Sequence, residues 1–223
     1  VNVSFTNVGD GVTSETQTKL HGKAIGDSLE LQAGDGSSDD TIDASSKATS
    51  QLIQGGDGDD IVNTDSALSA SDVINGGDGT DTLAIDVAAT TATALGVTNF
   101  ETLRVDTANV DQDMSAFTNN SGFTTLVSNV TGVQDFTNVG ASVTTLSLLN
   151  GASTVVFDRL VDATDSALTI GAATDVATTV TALTVADEET IVIDDGAIDS
   201  AIAFGVTTLN ANDVKSLTFT GVA

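Results

Sequence analysis

The chain has 223 residues, with 27 Asp and 5 Glu against 6 Lys and Arg together, and a formal net charge of −26. So acidic a surface repels phosphate backbones and argues against nucleic acid as a partner, and no apolar run approaches the roughly 20 residues that a membrane-spanning helix needs. Cys, Trp, Tyr and Pro are absent and there is one His, which removes disulfides and thiolate chemistry, leaves little for general acid–base catalysis, and makes an enzyme the disfavoured reading.

A hydrophobic content of 40% is too high for a disordered acidic tail. Scarce Glu, Lys and Arg, with abundant Val, Ile and 35 Thr, favour strands over helices. Residues 1–32 read as a lead-in coil: no charged-then-apolar leader follows Val1, and Asp27-Ser28-Leu29 is a loose strand start. Asp10 lies in a solvated loop and His21 on the surface, alone.

Residues 33–86 carry the organising repeat. Gly55-Gly56-Asp57-Gly58-Asp59-Asp60-Ile61-Val62-Asn63 and Gly76-Gly77-Asp78-Gly79-Thr80-Asp81-Thr82-Leu83-Ala84 both fit G-G-x-G-x-D-x-U-x, with U aliphatic. Ala33-Gly34-Asp35-Gly36-Ser37-Ser38-Asp39-Asp40-Thr41-Ile42 fits with one extra residue. Clustered glycines let the backbone take positive φ and present carbonyl oxygens. Short Asp carboxylates beside them supply the hard oxygens that Ca²⁺ prefers, ~6–8 per ion. One loop is an incomplete cage, and stacked loops complete it.

The Asp-x-aliphatic register traces the coils: Asp40/Ile42, Asp60/Val62 and Asp81/Leu83 on one side, Ile53 and Ile74 on the other, at spacings of 20 and 21 residues. Each coil then holds two short strands. The second side has lost its glycines at 44–50 and 66–71, so calcium is expected along one edge, with Asp43 and Asp72 as turn caps.

Beyond Asp86 the glycine loops vanish while the period persists through Leu103, Leu126, Leu146 and Leu168, with Val133/Phe136 and Val155/Phe157 between them. The expectation is an all-β parallel β-solenoid: a β-roll over 33–86 continuing into calcium-poor, Thr/Ala-rich coils over 87–223. The rival is a β-roll followed by a β-sandwich from residue 87, with a helical turn within 87–97 at the boundary. Phe100, Phe117, Phe123, Phe136, Phe157, Phe204 and Phe219 read as core, Arg104 and Arg159 as surface ion pairs, and Glu188-Glu189 and Asp194-Asp195 as solvated loops.

The glycine motifs resemble those of the RTX family, and within it the composition is similar to the solenoid region of surface-layer (S-layer) proteins of Gram-negative bacteria. The likeness covers the motifs over 33–86 and only the compositional style over 87–223. It implies several Ca²⁺ ions held by Asp35, Asp39, Asp40, Asp57, Asp59, Asp60, Asp78 and Asp81, with the backbone of Gly34, Gly36, Gly56, Gly58, Gly77 and Gly79. It further implies type I secretion to the cell surface, folding on extracellular calcium, self-association into a lattice, and attachment to surface glycan only through a part outside this chain. The alternatives are an RTX adhesin segment that binds other cells, and the calcium-binding secretion module of a larger secreted enzyme. Two perfect repeats are fewer than toxin or protease β-rolls carry.

Overall fold

The computed structural model describes residues 4–6, 28–32, 39–44, 50–64, 68–152, 154–162, 165–172, 178–194 and 204–220. Among these there is no α-helix and a single 3₁₀ turn, Met114–Ala116. The chain forms two compact units, Val1–Leu103 with Ala116–Phe123, and Arg104–Ser115 with Thr124–Ala223.

In the first unit, one sheet holds β1 (Ser4–Thr6), β3 (Thr41–Asp43), β5 (Ile61–Asn63) and β7 (Thr82–Ile85). The other holds β2 (Ser28–Gln32), β4 (Ser50–Asp57), β6 (Val73–Asp78) and β8 (Val97–Thr98). Strands alternate between sheets in chain order, so each coil gives one strand to each, which makes a β-solenoid. Pairing is parallel except where β1 runs antiparallel to β3. Parallel pairing at a constant offset puts like residues in columns. Ile42, Val62 and Leu83 stand in register, as do Ile53, Ile74 and Val97, and all six are buried. Each such side chain contributes roughly 1.5–3 kcal/mol when the next coil covers it, so no coil is stable alone. Between β7 and β8, one helical turn closes where the Ala94 N–H donates to the Thr90 carbonyl at 2.8 Å. Thr90 and Thr93 brace it by reciprocal hydrogen bonds. Phe117 and Phe123 meet edge to face, centroids 5.1 Å apart.

Strand β9 (Thr102–Val105) spans the point where the units divide. In the second unit, β10 (Val110–Asp113), β12 (Val133–Val139), β14 (Thr154–Arg159), β16 (Thr178–Ala186) and β18 (Phe204–Ala211) form one sheet. Facing the other way round each coil are β11 (Thr125–Ser128), β13 (Thr145–Leu148), β15 (Ala167–Ala172), β17 (Thr190–Asp194) and β19 (Ser216–Thr220). Every pair among them is parallel. A sandwich would need antiparallel strands, so the second unit is solenoidal too and the rival reading falls.

Buried columns run Phe136, Phe157, Val185 and Leu126, Leu146, Ile170, Ile193. Leu146 therefore faces Ile170, not Leu168 as the spacing suggested; Leu168 faces Ile191. The reason is extra chain between β14 and β15, which stretches that coil to an offset of 24 residues. Phe219 also departs from expectation. It continues the Ile193 column but is 71% exposed, because β19 is an edge strand with every residue open to solvent.

Column packing sets the stability of the second unit. Phe136→Ala, emptying a site of 0% exposure, is expected to cost about 3–5 kcal/mol. Leu160→Ala, at a half-exposed site, should stay within about 0.5 kcal/mol. Urea denaturation of the two variants beside the parent checks the contrast.

Candidate metal centre

The glycine-rich turns close β4 and β6 and lead into β5 and β7. Gly56, Gly58, Gly77 and Gly79 have φ of 118°, 121°, 125° and 145°, a region L side chains rarely enter. The turns also stack backbone on backbone: a Cβ on Gly77 would strike the Gly56 carbonyl oxygen, and one on Gly79 the Gly58 carbonyl oxygen. The place of a Cβ on Gly55 is taken by the Gly76 carbonyl and Asp60 Oδ2, and that on Gly76 by the Asn99 carbonyl and Asp81 Oδ2. Glycine here makes room for oxygen.

Carboxylates tie each turn to the one before it. The Asp40 N–H donates to Asp60 Oδ1 at 2.8 Å, the Asp60 N–H to Asp81 Oδ1 at 2.8 Å, and the Asp81 N–H to Glu101 Oε2 at 2.9 Å. An outer row in solvent runs the other way, the earlier carboxylate accepting from the later coil: the Asp59 N–H donates to Asp39 Oδ1 at 2.9 Å and the Thr80 N–H to Asp59 Oδ1 at 2.7 Å. In the inner row Asp60 and Asp81 are 0% exposed and Asp40 is 3% exposed. One oxygen of each, Asp40 Oδ1, Asp60 Oδ2 and Asp81 Oδ2, is buried with no hydrogen-bond partner. Leaving a charged acceptor so is costly. Burial, with neighbouring carboxylates adding to it, pushes Asp40 and Asp60 up to about 6 and Asp81 up to about 7.

The sequence-derived ligands therefore separate into groups. Asp40, Asp60 and Asp81 form the buried row; Asp39 and Asp59 form the exposed capping row. Asp57 and Asp78 stand in register on the solvent side of the turns. Gly56, Gly58, Gly77 and Gly79 shape the turns, while Gly34, Asp35 and Gly36 lie outside the described residues. On the second edge Asp72 is buried but satisfied. Its Oδ1 accepts from the Gln51 N–H and the Ser69 hydroxyl, and its Oδ2 from the Ser69 N–H. That is a turn cap with no acceptor left over.

Sequence reasoning passed over Glu101, which sits two residues before Leu103 as Asp81 sits before Leu83; that spacing was the available signal. It also misplaced Glu188 and Glu189, expected in solvent. Glu188 is fully buried and pairs with Arg159, whose guanidinium also donates to the Gly140 carbonyl at 2.7 Å and lies 4.8 Å over the Phe157 ring. Glu189 Oε2 accepts from the Ser166 N–H and hydroxyl at 2.9 and 2.7 Å. Asp162, Asp187 and Asp213 bring three carboxylate oxygens within 4.8 Å of one another, two of the residues being exposed.

The buried row fits a hard divalent cation: orphaned carboxylate oxygens, carbonyl oxygens converging beside glycine, and no soft or nitrogen donor among the residues named. Fold and turns together define a parallel β-solenoid with stacked glycine–aspartate turns on one edge. Set against protein-family models, curated proteins and solved structures, the chain matches none.

Raised carboxyl pKa values fix the sign of a pH effect. In the metal-free fold the three buried Asp hold protons that the unfolded chain releases near its ordinary 3.8. Stability is therefore greatest below that value and falls as pH rises through about 6 to 7. Melts in EGTA are expected to show a higher midpoint at pH 5 than at pH 8, and Asp60→Asn should flatten the difference.

Proposed function

We propose that this chain is a calcium-folded structural module of the cell exterior that self-associates into a surface lattice. The observation that carries the reading is the row of buried Asp oxygens without partners, one each at Asp40, Asp60 and Asp81, the last two beside a glycine. At −26 the metal-free chain repels itself, and stacked turns concentrate that repulsion. A divalent cation between coils offsets it, so binding free energy becomes folding free energy. A ligand at 100 times its Kd adds about 2.7 kcal/mol. Calcium modules of the extracellular kind bind at roughly 10⁻⁴–10⁻³ M, which suits a protein loose inside the cell and folded outside it.

The test is far-UV circular dichroism and sedimentation in EGTA, then on titration with Ca²⁺, with Mg²⁺ at equal ionic strength as control. Expected are a calcium-specific rise in β signal and a shift to large assemblies. In an Asp60→Asn, Asp81→Asn double variant the calcium midpoint should rise by roughly tenfold or more. An unchanged spectrum and size would sink the reading. Calcium-folded monomers that adhere to cells would move it to an adhesin.

A further inference from the structure

The glycine turns end at Asp81, but the carboxylate row does not. Val97 and Thr98 pair with Ile74 and Asn75, so Asn99 occupies the place of Gly76. From there Gly76 reaches Asp81 through four intervening residues, whereas Asn99 reaches Glu101 through Phe100 alone. The third turn is three residues shorter and has no glycine. Asn99 meets the backbone demand, with φ of 55°, and Glu101 spans the remaining distance with its extra methylene to accept the Asp81 N–H.

Asp81 is wholly buried, and its Oδ2 finds no hydrogen-bond partner. That oxygen and the Asn99 carbonyl oxygen converge on the spot a Cβ of Gly76 would occupy. Two acceptor oxygens crowd together beside Gly76, one of them an unpartnered buried carboxylate oxygen, and the Glu101 carboxylate is held against the same residue by the Asp81 N–H. One coil on, the chemistry changes. Asn120 Oδ1 accepts the Phe100 N–H at 2.8 Å and its Nδ2 donates to the Phe100 carbonyl at 2.9 Å. An amide closes both bonds without charge.

We propose that Asp81 and Glu101, with the Asn99 carbonyl, bind a hard divalent cation at a glycine-free site that ends the row, and that Asn120 is where cation dependence stops. The inference rests on the calcium reading above and extends it to a residue outside the repeat. Glu101 supplies charge to the ion besides capping the Asp81 amide. The two roles are separable, because Gln keeps an acceptor for the amide and loses the charge.

The experiment is equilibrium dialysis with radiolabelled calcium on the full chain, its Glu101→Gln variant and its Glu101→Asp variant, with melts of each in EGTA and in calcium. Glu101→Gln should bind one ion fewer than the parent, melt lower in calcium, and melt higher in EGTA, where a carboxylate facing Asp81 has gone. Glu101→Asp, which keeps the charge at shorter reach, should keep the count with roughly tenfold weaker affinity. If the parent binds calcium and Glu101→Gln binds as many ions, Glu101 is a cap only and this site is overturned while the Asp60 and Asp81 reading stands. If the parent binds none above the magnesium control, both fall.

Discussion

The structure depends on one recurring hydrogen bond: at Asp60, Asp81, Glu101, Asn120 and again at Glu189, a side chain accepts a main-chain N–H of the turn one coil earlier. In a parallel solenoid the turn amides point along the stack and have no strand partner, and a buried unpaired amide costs about 1–3 kcal/mol. The identity of the capping residue then decides the electrostatics. Asp60, Asp81 and Glu101 cap with carboxylates, and Asp60 and Asp81 each leave an oxygen over. Asn120 caps with an amide and leaves none. Glu189 caps Ser166 with one oxygen, while its other lies 3.9 Å from the Lys215 ammonium. The same need is met by excess negative charge, by neutrality, and by a countercharge from the chain itself. Hydrogen bonding from Ser166, with Lys215 nearby, holds the Glu189 carboxyl below its ordinary range, opposite in sign to the buried Asp row.

Backbone conformation is the second constraint, and it follows the first. Turns that bring amides within reach of the next coil need residues at positive φ. Where coils touch backbone to backbone only glycine fits, as at Gly77 and Gly79. Elsewhere Asn and Asp take over, at Asn99, Asn109, Asn138, Asp187 and Asp213, with φ of 52° to 63°. These residue types tolerate the left-handed region best after glycine. They also bond between coils, Asn138 to Asp113 and Asn212 to Asp187, both at 3.0 Å. Loss of the glycine-rich turn motif beyond Asp81 is thus a change in how the turn is satisfied, and parallel strand pairing persists through it.

Columns were legible where coil length was constant. Ile42, Val62 and Leu83 could be stacked from spacing because the six-residue glycine turns hold the offset at 20 or 21. The same reading slipped at Leu168, since a longer turn shifts the register and a shift of two residues keeps the inward face apolar. The buried Asp row was legible as a set of ligand types, but not its division from Asp57 and Asp78. The motif records which residues occupy a turn, whereas which side of it they face depends on the stacked neighbour. Arg159 and Glu188 lie 29 residues apart, and no local pattern signals that a coil will bring them together inside an apolar core. Burial there favours a matched pair, since either charge alone would be strongly destabilising.

Sharing of carboxylates bears on how a cation would act. Asp60 lies between the Asp40 and Asp81 turns, and Asp81 between Asp60 and Glu101, so neighbouring positions are not independent. Each carboxylate raises the pKa of the next by repulsion, and a cation placed at one removes that penalty for both. On the calcium reading, ions fill the row cooperatively, as nearest-neighbour terms in a stacked array require. The cooperative stretch is bounded by chemistry rather than by chain length. It runs as far as carboxylates cap amides, and it ends where Asn120 supplies both a donor and an acceptor.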